Sequence, residues 1–236
     1  MTETHREPPA PLPAPPPPPE PPEPSLARLA DALRRLPPSC GPVRLVAVDG
    51  HAGSGKSTFA GRLAAALGGA PVLHLDDIAS HAALFDWTER LRHQVLDPLS
   101  RGEAAHYAAY NWTARRYGPA NRPLPPAPVV LLEGVGAGRR ALRPFLAALL
   151  WMDLPRADSW ARGRRRDGPA QRDFWDGWEA AEQRHFAADP SRPAARLLVR
   201  EVSEGHSEGY EVLAGPAGTA AEAQIITEGE GRSAAR

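Results

Sequence analysis

The chain has 236 residues, 42% of them hydrophobic, with 28 Lys+Arg balancing 28 Asp+Glu and a single cysteine, Cys40. Zero formal charge predicts no bulk pull toward nucleic acid or an acidic membrane, and one cysteine excludes an intrachain disulfide or a thiolate metal cluster. No apolar run reaches bilayer length, and the N-terminus runs into proline rather than a secretory apolar segment, which predicts a cytoplasmic protein.

Residues 8–24 are mostly proline with alanine and glutamate. Such a stretch has no core-forming periodicity, so residues 1–24 are expected to be a disordered, polyproline-II-like tail. A helix follows, with Leu26, Leu29, Leu33 and Leu36 on one face, Ser25 as its N-cap and Pro37-Pro38 as its stop. Residues 43–48 read as a β-branched strand. Residues 56–67 read as a helix with Phe59, Leu63 and Leu67 at i, i+4, i+8, ended by Gly68-Gly69. A second strand covers 71–75. Trp87, Leu91, Val95 and Leu99 mark the buried stripe of another helix. Further on, the pattern predicts a strand over 128–132, a helix over 139–149 and a strand over 150–154. Helices over 156–167 and 173–187 follow, and then a strand over 196–202. Strands alternating with helices predict an α/β fold with a doubly wound, parallel five-stranded sheet. The folded domain is expected over 25–214. Small and charged residues from Gly215 onward predict a flexible C-terminal tail over 215–236. Phe174, Trp175, Trp178 and Phe186 can be read as a base-stacking surface, but they are spaced as a buried helix stripe, which favours core or a subunit face and leaves a homo-oligomer open.

Lys56 is the only lysine; the other 27 basic residues are arginine. It lies in Gly50-His51-Ala52-Gly53-Ser54-Gly55-Lys56-Ser57-Thr58, which fits the phosphate-loop pattern G-x-x-x-x-G-K-[ST] between a strand and a helix. Lysine is a compact point charge and arginine a bulky planar fork, so a loop wrapped closely round phosphates admits the first. The glycines free the backbone to turn its N–H groups inward, and the helix start adds its positive dipole end. Gly50, Gly53, Ser54, Gly55, Lys56, Ser57 and Thr58 are thus expected to bind nucleotide. Lys56 would reach the β- and γ-phosphates and the Ser57 hydroxyl would face Mg²⁺. With no second lysine there is no Asn/Thr-Lys-x-Asp segment to read guanine, which argues against a conventional GTPase. Gly134-Val135-Gly136-Ala137-Gly138 has the wrong spacing for a dinucleotide fingerprint.

Asp76-Asp77 follow the second strand and Glu133 the third. Carboxyl ends of parallel strands converge on one crevice. One of these carboxylates could orient or deprotonate an acceptor hydroxyl, and another could hold Mg²⁺ through water. Arg162, Arg164, Arg165, Arg166 and Arg172, broken by Gly168-Pro169, read as a lid that brings positive charge to a migrating phosphoryl group.

These pieces, with Tyr110-Asn111-Trp112, Leu132-Glu133-Gly134-Val135 and Arg166-Asp167 in the same order, resemble the uridine kinase-like branch of P-loop kinases, which also includes phosphoribulokinase and bacterial pantothenate kinase. The resemblance spans residues 43–202. It implies Asp76 as catalytic base, with Asp77 as the alternative and a substrate contact. It implies Glu133 near Mg²⁺, Lys56 and Arg166 in catalysis, and Tyr110, Trp112 and Arg162 on the substrate side. Asn111 stands where that branch carries aspartate, and Ile78-Ala79-Ser80 where it carries an aromatic residue. The function expected is ATP-dependent phosphoryl transfer to a hydroxyl of a small molecule, foremost a nucleoside. The alternative is an ATP-binding regulatory module with little kinase activity.

Overall fold

The computed structural model describes residues 24–204 and 207–219. The expected tail over 1–24 lies outside these, except for Pro24, which opens α1 (Pro24–Arg35). Ser25 is therefore inside the first turn rather than its N-cap. Strand β1 (Arg44–Asp49) leads through the glycine-rich loop into α2 (Lys56–Ala66), and β2 (Val72–His74) runs straight into a 3₁₀ turn over Leu75–Asp77. Helix α3 (Thr88–Leu91) widens into a π turn (Arg92–Leu96) and resumes as α4 (Asp97–Ser100). Pro98 has no N–H to give the carbonyl four residues back, so the regular ladder cannot pass through it. Two short hairpin-like pairs come next, formed by β3 (Ala105–Tyr107), β4 (Tyr110–Asn111), β5 (Arg116–Tyr117) and β6 (Arg122–Leu124). They are followed by β7 (Val129–Glu133), β8 (Leu146–Met152), α5 (Arg156–Asp167), α6 (Arg172–Ala188), β9 (Leu197–Glu204) and β10 (Ser207–Ala214).

The central sheet has the order β10-β9-β8-β1-β7-β2. Five of its strands are parallel, as the sequence predicts; β10 adds a sixth, antiparallel to β9. From β1 the chain goes first to one side of the sheet and later to the other, so the topological switch falls where the phosphate loop leaves the sheet. Alternation sets the two faces. Val46, Val48, Leu131 and Leu150 pack under α1 and α2 with Phe59 and Leu63. Leu45, Ala47, Val130, Leu132 and Trp151 face the layer carrying Trp87, Leu91, Val95 and Leu99. Burial on both faces gives the nearly unbroken apolar runs of parallel strands. The expected helical stripe is buried throughout.

Two expectations are corrected. Residues 139–149 are not a helix: tight turns and a 3₁₀ turn (Arg143–Phe145) lead into β8, which begins at Leu146 and pairs with β1 from Leu45. A short apolar run buried on both faces carries no period that separates helix from strand, and Pro144 disfavours the helix. Gly215 does not begin a loose end. Its N–H bonds the Arg196 carbonyl at 2.9 Å, and that of Ala217 bonds Ala195 at 3.0 Å; residues 220–236 lie outside the described part. Among the described residues, no helix is long and apolar enough to cross a membrane.

Candidate active site

The loop after β1 takes its shape from its glycines. Gly53 (φ 84°) and Gly55 (φ 93°) have left-handed conformations. A Cβ on Gly53 would stand 2.1 Å from the Ser159 carbonyl oxygen, because α5 lies directly on the loop. Lys56 is not solvent-facing: it is 6% exposed, and its ammonium donates to the carbonyls of Gly50 (3.1 Å) and His51 (2.9 Å).

Two buried carboxylates brace this loop, and neither was singled out from sequence. Asp49, fully buried at the end of β1, accepts from the N–H groups of Gly50 (2.7 Å), Gly136 (2.9 Å) and Gly138 (2.8 Å). It thereby ties the phosphate loop to the glycine-rich turn after β7. Burial pushes its pKa up, and the three amides act against that rise. Glu182, on α6, binds His51 Nδ1 at 2.6 Å and the Ala52 N–H at 3.0 Å. Its burial favours the neutral acid, but the His51 and Ala52 bonds outweigh it and hold the pKa down.

The loop lines a cleft of about 760 Å³. Gly53, Gly55, Lys56, Ser57 and Thr58 line it, with Asp76, Glu133, Trp112, Arg162 and Arg166. These ten expected residues come together from five separate stretches of chain. Gly50 and Ser54 shape the loop from behind: the Gly50 carbonyl receives Lys56, and the Ser54 N–H bonds the His51 carbonyl at 3.1 Å. Asp77 and Tyr110 do not join the lining. Asp77 accepts from the Tyr107 hydroxyl (3.1 Å) and Arg122 (2.9 Å), pinning the β3–β6 pair. The Tyr110 hydroxyl bonds His81 Nδ1 at 2.9 Å. Asn111 uses its Oδ1 to accept from the Ala114 N–H at 2.7 Å, closing the β4–β5 turn.

Asp76 is exposed to the cleft, with protein crowding its other sides. Desolvation by these surroundings, with the neighbouring Glu133 charge, raises its pKa, while Lys56 and His74 act to lower it. Glu133 is buried at the end of β7 and bonded to His74 Nδ1 at 2.6 Å. The bond to Glu133 raises the His74 pKa against its partial burial. Among the described residues no three His, Cys, Asp or Glu side chains are grouped to enclose a metal. Ser57 and Glu133 supply oxygen donors of the kind Mg²⁺ takes alongside phosphate oxygens.

The arginine cluster divides. Arg162, beside Gly55, is paired with Glu201 at 2.5 Å. Arg166 forks onto Asp167 at 2.7 and 3.0 Å. Arg164 is instead a strut between α5 and α6, bonded to Glu179 and Asp176, each at 2.6 Å.

One wall of the cleft is aromatic. Trp112, Phe174, Trp175 and Trp178 line it with His81 and Val135. Trp175 and Trp178 are buried, as a core stripe predicts, but they are also the wall of the cleft. Sequence held one clue to this. Gly163 interrupts α5 although glycine costs a helix interior about 0.5–1 kcal/mol. The Trp175 ring lies where its Cβ would be, with the nearest ring atom 2.3 Å away. The Trp112 indole donates to the Asp76 carbonyl at 3.0 Å, joining the aromatic wall to the candidate base.

No protein-family model and no curated protein matches the chain. Among solved structures it is similar to one described as a possible uridine kinase from Bacillus stearothermophilus, 21% identical over 64% of this chain and 89% of that one, with a TM-score of 0.48. It is also similar to one described as a fructose transport system kinase from Silicibacter sp. TM1040, 24% identical over 70% of this chain and 89% of that one, with a TM-score of 0.49.

Proposed function

We propose that the protein transfers the γ-phosphoryl group of ATP to a hydroxyl of a small molecule, with a nucleoside as the leading acceptor. One observation carries this reading: a single cleft is lined by a phosphate loop with its lysine, by an aromatic wall, and by Asp76. The loop amides and Lys56 would hold the phosphates. Ser57 and, through water, Glu133 would hold Mg²⁺, which neutralises charge on the phosphate oxygens. Asp76 would accept the proton of the acceptor hydroxyl as its oxygen bonds to phosphorus and ADP departs. Its raised pKa makes it a better proton acceptor than an ordinary aspartate. Arg162 and Arg166 would neutralise the migrating group. The aromatic wall offers ring faces on which a planar heterocycle can stack, which is why a nucleoside leads.

A regulatory ATP-binding module with little kinase activity is the rival. It is favoured by Tyr110 and Asp77, whose polar atoms are engaged within the fold rather than offered to the cleft. A screen of nucleosides and other alcohols decides between the two by reading ADP formation above the acceptor-free background. The kinase reading expects at least one acceptor to stimulate ADP formation, and Asp76→Asn to abolish that stimulation. Tight Mg²⁺-ATP binding with no stimulation by any acceptor overturns it in favour of the module.

A further inference from the structure

Glu182 is an acid in the apolar stripe of α6, one turn after Trp178, and it is fully buried. Its Oε1 meets His51 Nδ1 (2.6 Å) and the Trp160 indole N–H (3.1 Å). Its Oε2 accepts from the Ala52 N–H (3.0 Å) and the Trp178 indole N–H (2.9 Å). A carboxylate is acceptor-only and can serve four donors, whereas glutamine offers one acceptor oxygen and turns a donor to the other side. A buried carboxylate survives only when so satisfied.

The partners belong to three different parts of the site. His51 and Ala52 are two of the four loop positions that the phosphate-loop pattern leaves free. Trp160 belongs to α5, which lies on the loop. Trp178 is part of the aromatic wall, and both it and Ala52 line the cleft. One oxygen, Oε2, therefore holds a phosphate-loop amide and an indole of the acceptor chamber together.

We propose that Glu182 is the positioning residue of the phosphate loop, fixing the His51-Ala52 segment in its nucleotide-ready shape and fastening it to the acceptor wall through Trp178. This rests on the reading that the loop takes nucleotide. Glu182 touches neither substrate; it acts through the loop amide and the indole. The His51 ring sits edge-on to Trp151 and Phe186, with centroids 5.4 and 5.2 Å away, so the segment has little room to find another bonded arrangement.

The test is calorimetric titration of Mg²⁺-ATP, and of inorganic triphosphate, into wild type, Glu182→Gln and Trp178→Phe, with ligand-free thermal midpoints measured on the same samples. Hydrogen bonds to a charged group are worth about 1.5–3 kcal/mol, so folded Glu182→Gln should bind ATP about 10- to 100-fold more weakly. Inorganic triphosphate should lose affinity by the same factor, since the defect lies in the loop. Trp178→Phe keeps an aromatic ring and removes one donor, and should weaken ATP by a few-fold although its ring belongs to the aromatic wall. A lower midpoint with unchanged affinity for both ligands in folded Glu182→Gln overturns the inference, leaving the residue a core bond only. If Glu182→Gln does not fold, Trp178→Phe decides: weakened ATP binding supports the coupling, and unchanged binding overturns it. If wild type binds no Mg²⁺-ATP, the nucleotide reading and this inference fall together; wild-type binding with an indifferent Glu182→Gln sinks the inference alone.

Discussion

The phosphate loop and the aromatic wall of the cleft are built from different materials. The phosphate loop is main chain: contiguous residues 50–58, turned by glycine and closed by bonds within the loop, such as Lys56 to the carbonyls of Gly50 and His51. The aromatic wall is side chain: Trp112 comes from the β4–β5 hairpin, Val135 from the turn after β7, and Phe174, Trp175 and Trp178 from α6. A backbone cradle makes a narrow demand on sequence, for glycine at left-handed positions and one compact cation. An aromatic wall can be assembled from any segments the fold brings together. The contrast predicts that substitutions in the loop and in the wall will separate nucleotide binding from acceptor chemistry.

The largest separation is expected at Asp76, which lines the cleft along with both loop and wall. Asp76→Asn should lower turnover with the best acceptor about 10²- to 10⁴-fold, the usual worth of general base catalysis, while ATP affinity by calorimetry changes little. Asp77→Asn should leave turnover nearly intact and lower the thermal midpoint, because Asp77 pins Tyr107 and Arg122. A larger turnover loss from Asp77→Asn would reverse the two roles.

At the phosphate loop the split runs the other way. Lys56→Ala removes a buried cation, and charge-assisted bonds worth about 1.5–3 kcal/mol each imply an ATP affinity loss of about 10²-fold or more. Circular dichroism should show the fold retained, since the sheet and both cores are built without this side chain. Equal ATP affinity in mutant and wild type would remove the loop from nucleotide binding.

The acceptor side should also be the acid-sensitive one. His185 of α6 stacks on Phe85 with ring centroids 4.5 Å apart. Burial, with the nearby Arg139 charge, pushes its pKa down to about 4 from 6.5. A histidine whose folded pKa is depressed favours the native state above its unfolded pKa. That stability is lost as pH falls from about 6.5 toward 4, because the unfolded chain takes the proton first. The difference is on the order of 3 kcal/mol at most. Glu182 and Asp153, both held below the ordinary carboxylate range, add a further loss at lower pH. Since the raised pKa values of His74, Asp49 and Asp76 act the other way in both proteins, the check is the difference: as pH falls from 6.5 to 4, the His185→Gln midpoint should gain on that of wild type. An unchanged slope in the variant would take His185 out of the account.

The same division explains what the sequence made legible. The phosphate loop, β1, α2 and the buried stripe from Trp87 to Leu99 were readable because each depends on local pattern: a motif, a period, a pair of glycines after a helix. Asp76 and Glu133 were readable as strand-end carboxylates because parallel sheets gather such ends. Asp49 and Glu182 carry no local signal of their roles, because they hold partners 87 and 131 positions away. The start of β8 was misread because Leu146 to Leu149 is apolar without a period, and only pairing with β1 makes it a strand. The aromatic stripe of α6 reads as core or a subunit face in preference to a stacking surface, and burial bears out the core reading for Trp175 and Trp178. That the same rings wall a cleft follows from Gly163 letting Trp175 settle on α5, a contact no helical period announces.

The smallest effect predicted is also the sharpest probe of how the aromatic wall joins the candidate base. Trp112 stands on the aromatic wall, and its indole N–H holds the carbonyl of Asp76. Trp112→Phe keeps a ring for stacking and removes that bond. A hydrogen bond to a neutral acceptor is worth about 0.5–1.5 kcal/mol net, so an effect of about two- to tenfold is expected. If Trp112 serves the wall alone, acceptor KM rises and kcat holds, because stacking is uniform binding. If it also sets the direction of the Asp76 carboxylate, kcat falls with KM nearly constant. The bond runs to the backbone of the candidate base itself, in a 3₁₀ turn of three residues with no other indole bonded to it among the described residues, so the expected result is the loss in kcat. A pure KM effect would assign Trp112 to the acceptor chamber and leave Asp76 positioned by its own turn.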